Sequence, residues 1–181
     1  MKMNLPNALT ILRICMIPFF VLFLMTPIGG AHGNIIAGVI FIAASLTDTL
    51  DGYLARKNNQ ITVFGKFMDP LADKLLVCSA LICLVALNRM PYWIVIIIIG
   101  RDFIISGFRL IAAEKGVVIA ANMWGKVKTA VQMVTVILLV FHFGGVFDKI
   151  ETVLIWLALA LTVISLVNYL WLNRKVLEEV H

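Results

Sequence analysis

An all-α integral membrane protein with six transmembrane helices is the fold class this sequence predicts, on three observations. Hydrophobic residues make up 62% of the 181 and charged residues only 14%, against roughly 45–50% and about 25% in soluble domains. Apolar stretches of the ~20 residues needed to cross a bilayer recur along the whole chain. Lysine and arginine gather on one side of those stretches. A globule of this size cannot hide so much apolar surface, so a soluble fold is excluded. The net charge of +5 then reads as the cytoplasmic bias of positive charge in membrane proteins, not as a nucleic-acid surface.

Each span follows from its apolar run and its breakers. The first covers residues 8–26 and continues to about 28. Arg13 interrupts it and no small-residue cleavage site follows, so it reads as a retained span rather than a secretory leader. Pro27, Gly29 and Gly30 end it, and the second span covers 34–56. The third runs over 68–87 and stops before Pro91, and the fourth covers 92–113 and stops before Gly116. The fifth covers 123–143, ending at Gly144 and Gly145, and the sixth covers 150–172. No soluble domain, long linker or repeat appears, so residues 1–181 read as a single six-helix domain. Cys15, Cys78 and Cys83 are odd in number, sit in apolar stretches and lack metal spacing, which makes them packing residues. His32, His142 and His181 are isolated, and Glu178 and Glu179 read as a solvated tail.

Charge sets the orientation. With both termini cytoplasmic, the outer loops hold only Arg89 and Lys149, and the other 13 of the 15 basic residues lie inside or in the inner parts of spans, apart from Arg101 near a span's middle. This bias puts the loop of residues 57–66 in the cytoplasm.

Around that loop stand four carboxylates within 26 residues: Asp48 and Asp51 at the inner end of span two, Asp69 and Asp73 entering span three. A carboxylate at the centre of a membrane helix costs roughly 2.5–3.5 kcal/mol on insertion scales, so such residues are functional candidates by default. Spacings of three and four place each pair on one face of its helix, and the short loop makes the two helices antiparallel neighbours. Four like charges gathered together repel unless something neutralises them. Hard divalent cations with oxygen ligands, Mg²⁺ or Mn²⁺, suit such a cluster, and two of them roughly 3.5–4 Å apart form a clamp used in phosphoryl transfer. Plainer readings exist for single members. Asp69 before Pro70 has the form of a helix cap, and Asp48 and Arg56 could form an ion pair.

The residues between the acids add a pattern: Asp48-x-x-Asp51-Gly52-x-x-Ala55-Arg56, eight residues, Gly65, three residues, Asp69, three residues, Asp73. Gly52 and Ala55 share the helical face of the acids and leave room for a planar group or a diphosphate; close helix packing is the other use of such a glycine. Arg56 is a fixed cation beside the acids, suited to a phosphate or nucleotide or to anchoring at the inner membrane face.

This pattern resembles the signature of the CDP-alcohol phosphatidyltransferases at every specified position. The resemblance implies a six-helix membrane fold, a homodimer, and an active site open at the cytoplasmic surface, in a bacterial cytoplasmic membrane. It implies that Asp48, Asp51 and Asp69 bind metal and that Asp73 is the general base, with a possible share in metal binding. It also implies that Gly52, Ala55 and Arg56 contact the CDP part of CDP-diacylglycerol.

Polar groups elsewhere bear on the attacking alcohol. Arg101 and Asp102 stand near the middle of span four, with Arg109 two turns further on the same face, and span five opens with Lys126, Lys128 and Thr129. Arginine at mid-helix needs an anion, and these cations outnumber Asp102. They read as a pocket for an acceptor carrying a phosphate. The plainer readings are that Asp102 pairs with a basic neighbour and that Lys126 and Lys128 snorkel to headgroups. The segments 100–109 and 125–129 look like those of the family branch whose acceptor is sn-glycerol 3-phosphate, and Pro6, Asn7, Thr10 and Arg13 are similar to the same branch. On that likeness Asn7 and Thr10 touch the nucleotide, Asn7 capping the first helix being the alternative. An inositol-phosphate acceptor is the rival within the family. A small divalent-cation transporter is the rival outside it, although the acids sit at one membrane face and no second half mirrors them.

Overall fold

The computed structural model describes the backbone of residues 5–57, 63–114 and 122–174, and the side chains within those stretches except at 5–6, 48–57 and 63–67. Its elements are α1 (Leu5–Met25), α2 (Gly33–Lys57), α3 (Val63–Ala86), α4 (Tyr92–Glu114), α5 (Met123–Phe141) and α6 (Val146–Leu172), with a 3₁₀ turn at Pro27–His32. No strand occurs among the described residues.

The helix ends follow local chemistry. Thr26, which precedes Pro27, is extended (φ −121°, ψ 157°), as the residue before a proline must be to avoid its ring. Gly30 takes φ 54° inside the 3₁₀ turn, and Gly144 and Gly145, at φ 75° and 67°, make the reversal into α6 at angles that suit glycine. Asn122 stands before α5, and its Oδ1 accepts the backbone N–H of Gly125 at 3.2 Å, an N-cap that satisfies one of the orphan donors of a helix start. Asn173 closes α6 by donating its side-chain amide to Tyr169 O at 2.8 Å.

Three starts differ from the sequence-based expectation, α1 beginning at Leu5 and not at residue 8. α3 begins at Val63, so Asp69 and Pro70 lie inside a helix and the capping reading of Asp69 falls away. Proline lacks the N–H of a helical bond, but membrane helices tolerate it because neighbours satisfy the carbonyl it leaves; Pro18 in α1 is a second case. α6 begins four residues early, at Val146, directly after the two glycines.

The chain divides into two compact units: Met1–Arg89 with Ile137–His142, and Met90–Val136 with Phe143–His181. In the first, α1 packs on α2 and α3. Phe20 and Phe41 meet with ring centroids 5.6 Å apart, and Ala37, Ala44, Leu76, Ala80 and Leu84 are buried around them. Gly38 lets α2 approach the last residue of α5, since a Cβ there would stand 2.6 Å from the Phe141 ring. Arg89 ties the same unit together. Its Nη1 donates to Leu139 O and Val140 O, each at 3.0 Å, and its Nη2 to Asn34 Oδ1 at 3.3 Å. A cation thus sits on the carbonyl end of α5, where helix dipole and unsatisfied acceptors favour it.

In the second unit α4 packs on α6. The buried stripe of α4 is Ile94, Val95, Ile98, Arg101, Ile105 and Ala112, and that of α6 includes Ile155, Ala158, Leu161, Thr162, Ser165 and Tyr169. The opposite faces stay apolar. Phe19, Val39, Ile82, Ile96, Val134 and Val153, one from each of the six helices, are all exposed, as side chains facing lipid are. Four segments among the described residues are long and apolar enough to cross a membrane: Asn7–Met25, Pro27–Thr47, Met123–Phe141 and Val146–Leu172. α3 and α4 fall short because each carries ionisable groups, Asp69, Asp73 and Lys74 on one and Arg101, Asp102 and Arg109 on the other.

Candidate active site

α1 carries a polar segment on its buried face. Asn7, Thr10 and Arg13 are buried, in line with Ile17, Phe20 and Leu24, at spacings of three and four residues. The side chain of Arg13 is enclosed and its Nε donates to Ala44 O on α2 at 3.2 Å. That carbonyl also accepts from Thr47 Oγ1 at 2.6 Å, and it stands one helical turn before Asp48. Thr10 Oγ1 donates to Asp69 Oδ1 on α3 at 2.5 Å. Asp73 follows Asp69 by four residues on the same face of α3, and both are half-buried. Asp48, Asp51, Gly52, Ala55 and Arg56 lie on the last turns of α2; their side chains lie outside the described residues. Among the described side chains, α3 alone contributes carboxylates to this end of the unit, Asp69 and Asp73, and carboxylate oxygens are the kind of donor that suits a hard cation.

The second unit holds the basic residues. Asp102 Oδ1 accepts from Arg101 Nη1 at 3.0 Å and from Lys128 Nζ at 2.6 Å. Arg101 Nε donates to Ser165 Oγ at 3.1 Å, and Ser165 Oγ donates in turn to Thr162 O at 3.0 Å. The guanidinium lies against the start of α5, where a Cβ on Gly125 would stand 3.4 Å from Arg101 Nη2. Lys128 is 1% exposed, so it does not snorkel; it is a buried ammonium held by a carboxylate. Lys126, two residues earlier, is exposed, as the helical angle between the two requires. Arg109 is also exposed, with its guanidinium 5.7 Å from the centroid of the Tyr169 ring. The structure therefore joins Arg101, Asp102 and Lys128, stacks Arg109 on Tyr169, and leaves Lys126 at the surface.

Sequence reasoning missed the polar side of α6. Thr162, Ser165 and Tyr169 are buried, and Asn168 accepts a hydrogen bond from the Asn122 side-chain amide. The signal was present as polar residues three and four apart within a span. Gln132 Oε1 and Tyr169 OH are buried without a hydrogen-bond partner among the described residues.

The sequence model of the CDP-alcohol phosphatidyltransferases matches residues 3–164. The chain belongs to that family. Among relatives of this phosphatidyltransferase, the CDP-diacylglycerol--glycerol-3-phosphate 3-phosphatidyltransferase of Bacillus subtilis is 42% identical, over 97% of this chain and 97% of its own. A Haemophilus influenzae protein of the same description is 42% identical, over 94% of this chain and 93% of its own. The probable phosphatidylglycerophosphate synthase of Mycobacterium tuberculosis is 41% identical, over 92% of this chain and 79% of its own.

Proposed function

We propose that the protein transfers the phosphatidyl group of CDP-diacylglycerol to sn-glycerol 3-phosphate, forming phosphatidylglycerophosphate and releasing CMP. The near-full-length likeness to proteins described by that reaction carries the reading. The paired carboxylates and the basic cluster supply groups that the chemistry needs.

Asp48, Asp51 and Asp69 would hold Mg²⁺ or Mn²⁺ in a two-metal site, and Asp73 shares the cluster with them. When bound, such ions offset charge on the diphosphate and on departing CMP. Gly52 and Ala55 leave space for the CDP group, and Arg56 and Asn7 stand on the helices that would receive it. Asp73 takes the proton of an acceptor hydroxyl. The hydroxyl oxygen bonds to the phosphorus that carries diacylglycerol, and the bond from that phosphorus to CMP breaks with its electron pair leaving on CMP. Arg101, Arg109, Lys126 and Lys128 serve the acceptor phosphate, Arg101 and Lys128 from their positions on Asp102, Arg109 from beside the Tyr169 ring and Lys126 from the surface. All six helices act as spans of one catalytic domain, 1–181, in a bacterial cytoplasmic membrane. α3 and α4 are the two whose site residues lower their apolarity. Both termini and the active site face the cytoplasm, in keeping with the charge bias, and the working form is a homodimer.

Purified protein in nanodiscs, given CDP-diacylglycerol with glycerol 3-phosphate or with inositol phosphate, tests this. CMP and phosphatidylglycerophosphate should form in equal amounts from glycerol 3-phosphate, stop on chelation, and resume with added Mg²⁺ or Mn²⁺. CMP release with inositol phosphate alone would overturn the acceptor, and no release with either would overturn the enzyme reading.

A further inference from the structure

Thr10 has a kind of partner seen at none of the other described threonines, a carboxylate. The hydroxyls of Thr26, Thr47, Thr129, Thr135, Thr152 and Thr162 each bond a carbonyl three or four residues back, the ordinary outlet for a threonine in or at the end of a helix, and Thr135 also reaches Leu154 O on α6 at 3.5 Å. Thr10 Oγ1 meets a carboxylate on another helix, 59 residues away in sequence. Thr10 is 0% exposed, and a β-branched side chain in a helix has few rotamers, so the hydroxyl is held where it is. An ionised carboxylate only accepts, which makes Thr10 the donor. Three residues on, Arg13 reaches α2 one turn ahead of Asp48. From one face, α1 therefore bonds both of the helices that carry the acids.

We infer that Thr10 is a positioning residue for the carboxylate site: its hydroxyl fixes Asp69 Oδ1 and turns the second oxygen of Asp69 to a bound cation. Arg13 sets the depth of α2 against the same helix, so α1 holds the two carboxylate pairs in register. The inference rests on the metal-binding role proposed for Asp48, Asp51 and Asp69. It assigns Thr10 to a carboxylate rather than to the nucleotide. Partners that orient a metal ligand typically change metal affinity or activity by roughly 10–100-fold when removed.

Mn²⁺ binding to the purified protein in nanodiscs, without CDP-diacylglycerol, reads this directly through the electron paramagnetic resonance signal of free Mn²⁺. Thr10→Val keeps the shape and removes the donor, and should weaken Mn²⁺ binding by about 10–100-fold. Thr10→Ser restores the hydroxyl and should bind within about threefold of the native protein, a rescue that packing alone would not produce. Thr10→Cys, a weaker donor, should fall between them and serves if the valine variant does not fold. Turnover of Thr10→Val should recover at saturating Mn²⁺. Native Mn²⁺ affinity in Thr10→Val or Thr10→Cys would overturn the positioning role. Equal Mn²⁺ binding by the native protein and Asp69→Asn would instead overturn the metal site itself.

Discussion

Replacing Asp102 by asparagine removes the charge that holds two cations. Lys128 is 1% exposed and its 2.6 Å bond to Asp102 is a charge-assisted one. Arg101 keeps its bond to Ser165 and loses only the 3.0 Å contact. Breaking a buried pair by removing one partner costs about 3–5 kcal/mol, because a charge is left uncompensated in an apolar setting. Asp102 is 25% exposed at its side chain, so water relieves part of this. The expected loss is about 2–4 kcal/mol. Lys128→Met removes the cation that Asp102 binds at 2.6 Å, so the double variant should lose less than the sum of the singles, with a coupling of about 1.5–3 kcal/mol. Equilibrium unfolding in mixed micelles by SDS, followed by tryptophan fluorescence, measures the four species. The same Asp102→Asn protein should show a raised KM for glycerol 3-phosphate and an unchanged one for CDP-diacylglycerol. Stability losses that add within about 0.5 kcal/mol would refute the view that Asp102 is the counter-ion of Lys128.

Arg89→Gln strips a charged donor from two carbonyls at the end of α5 and should cost about 2–3 kcal/mol by the same unfolding assay; a loss below about 0.5 kcal/mol would show that the clasp contributes nothing. Asp73→Asn should lower kcat by about 10²–10⁴-fold with little change in KM for glycerol 3-phosphate, measured as CMP release. Full turnover in that variant would remove Asp73 as the base.

Six long helices were legible in the sequence as apolar runs punctuated by glycine and proline, and four of the described segments are long and apolar enough for a bilayer crossing of about twenty residues. The sequence puts the start of α3 late, at residue 68 with a proline-first cap at Asp69 as the plainer reading, whereas the helix begins at Val63 and carries Pro70 in its interior. The carboxylate pattern was visible because acids in apolar helices are rare and costly. Partners across helices were not visible. Nothing in the spacing of Thr10 and Asp69 foretells their bond, which depends on α1 lying against α3. Likewise the sequence suggested that Asp102 pairs with a basic neighbour, but that one oxygen serves both Arg101 and Lys128 is set by packing. The polar stripe of α6 was readable by the logic applied to α4; hydroxyls and amides stand out less among apolar residues than charges do.

The shared carboxylate also bears on how the chain enters the bilayer. Membrane helices are inserted in the order in which they are made, and a charged residue must find its counterpart before the apolar phase closes around it. Arg101 and Asp102 are neighbours on α4 and arrive together as a neutral pair. Lys128 emerges 26 residues after Asp102 on a helix whose described residues include no acid, so the Asp102 carboxylate is already delivered by the preceding helix when the ammonium arrives. α4 and α5 would then be laid into the membrane as one helical pair, with the charge on the second helix admitted by the first.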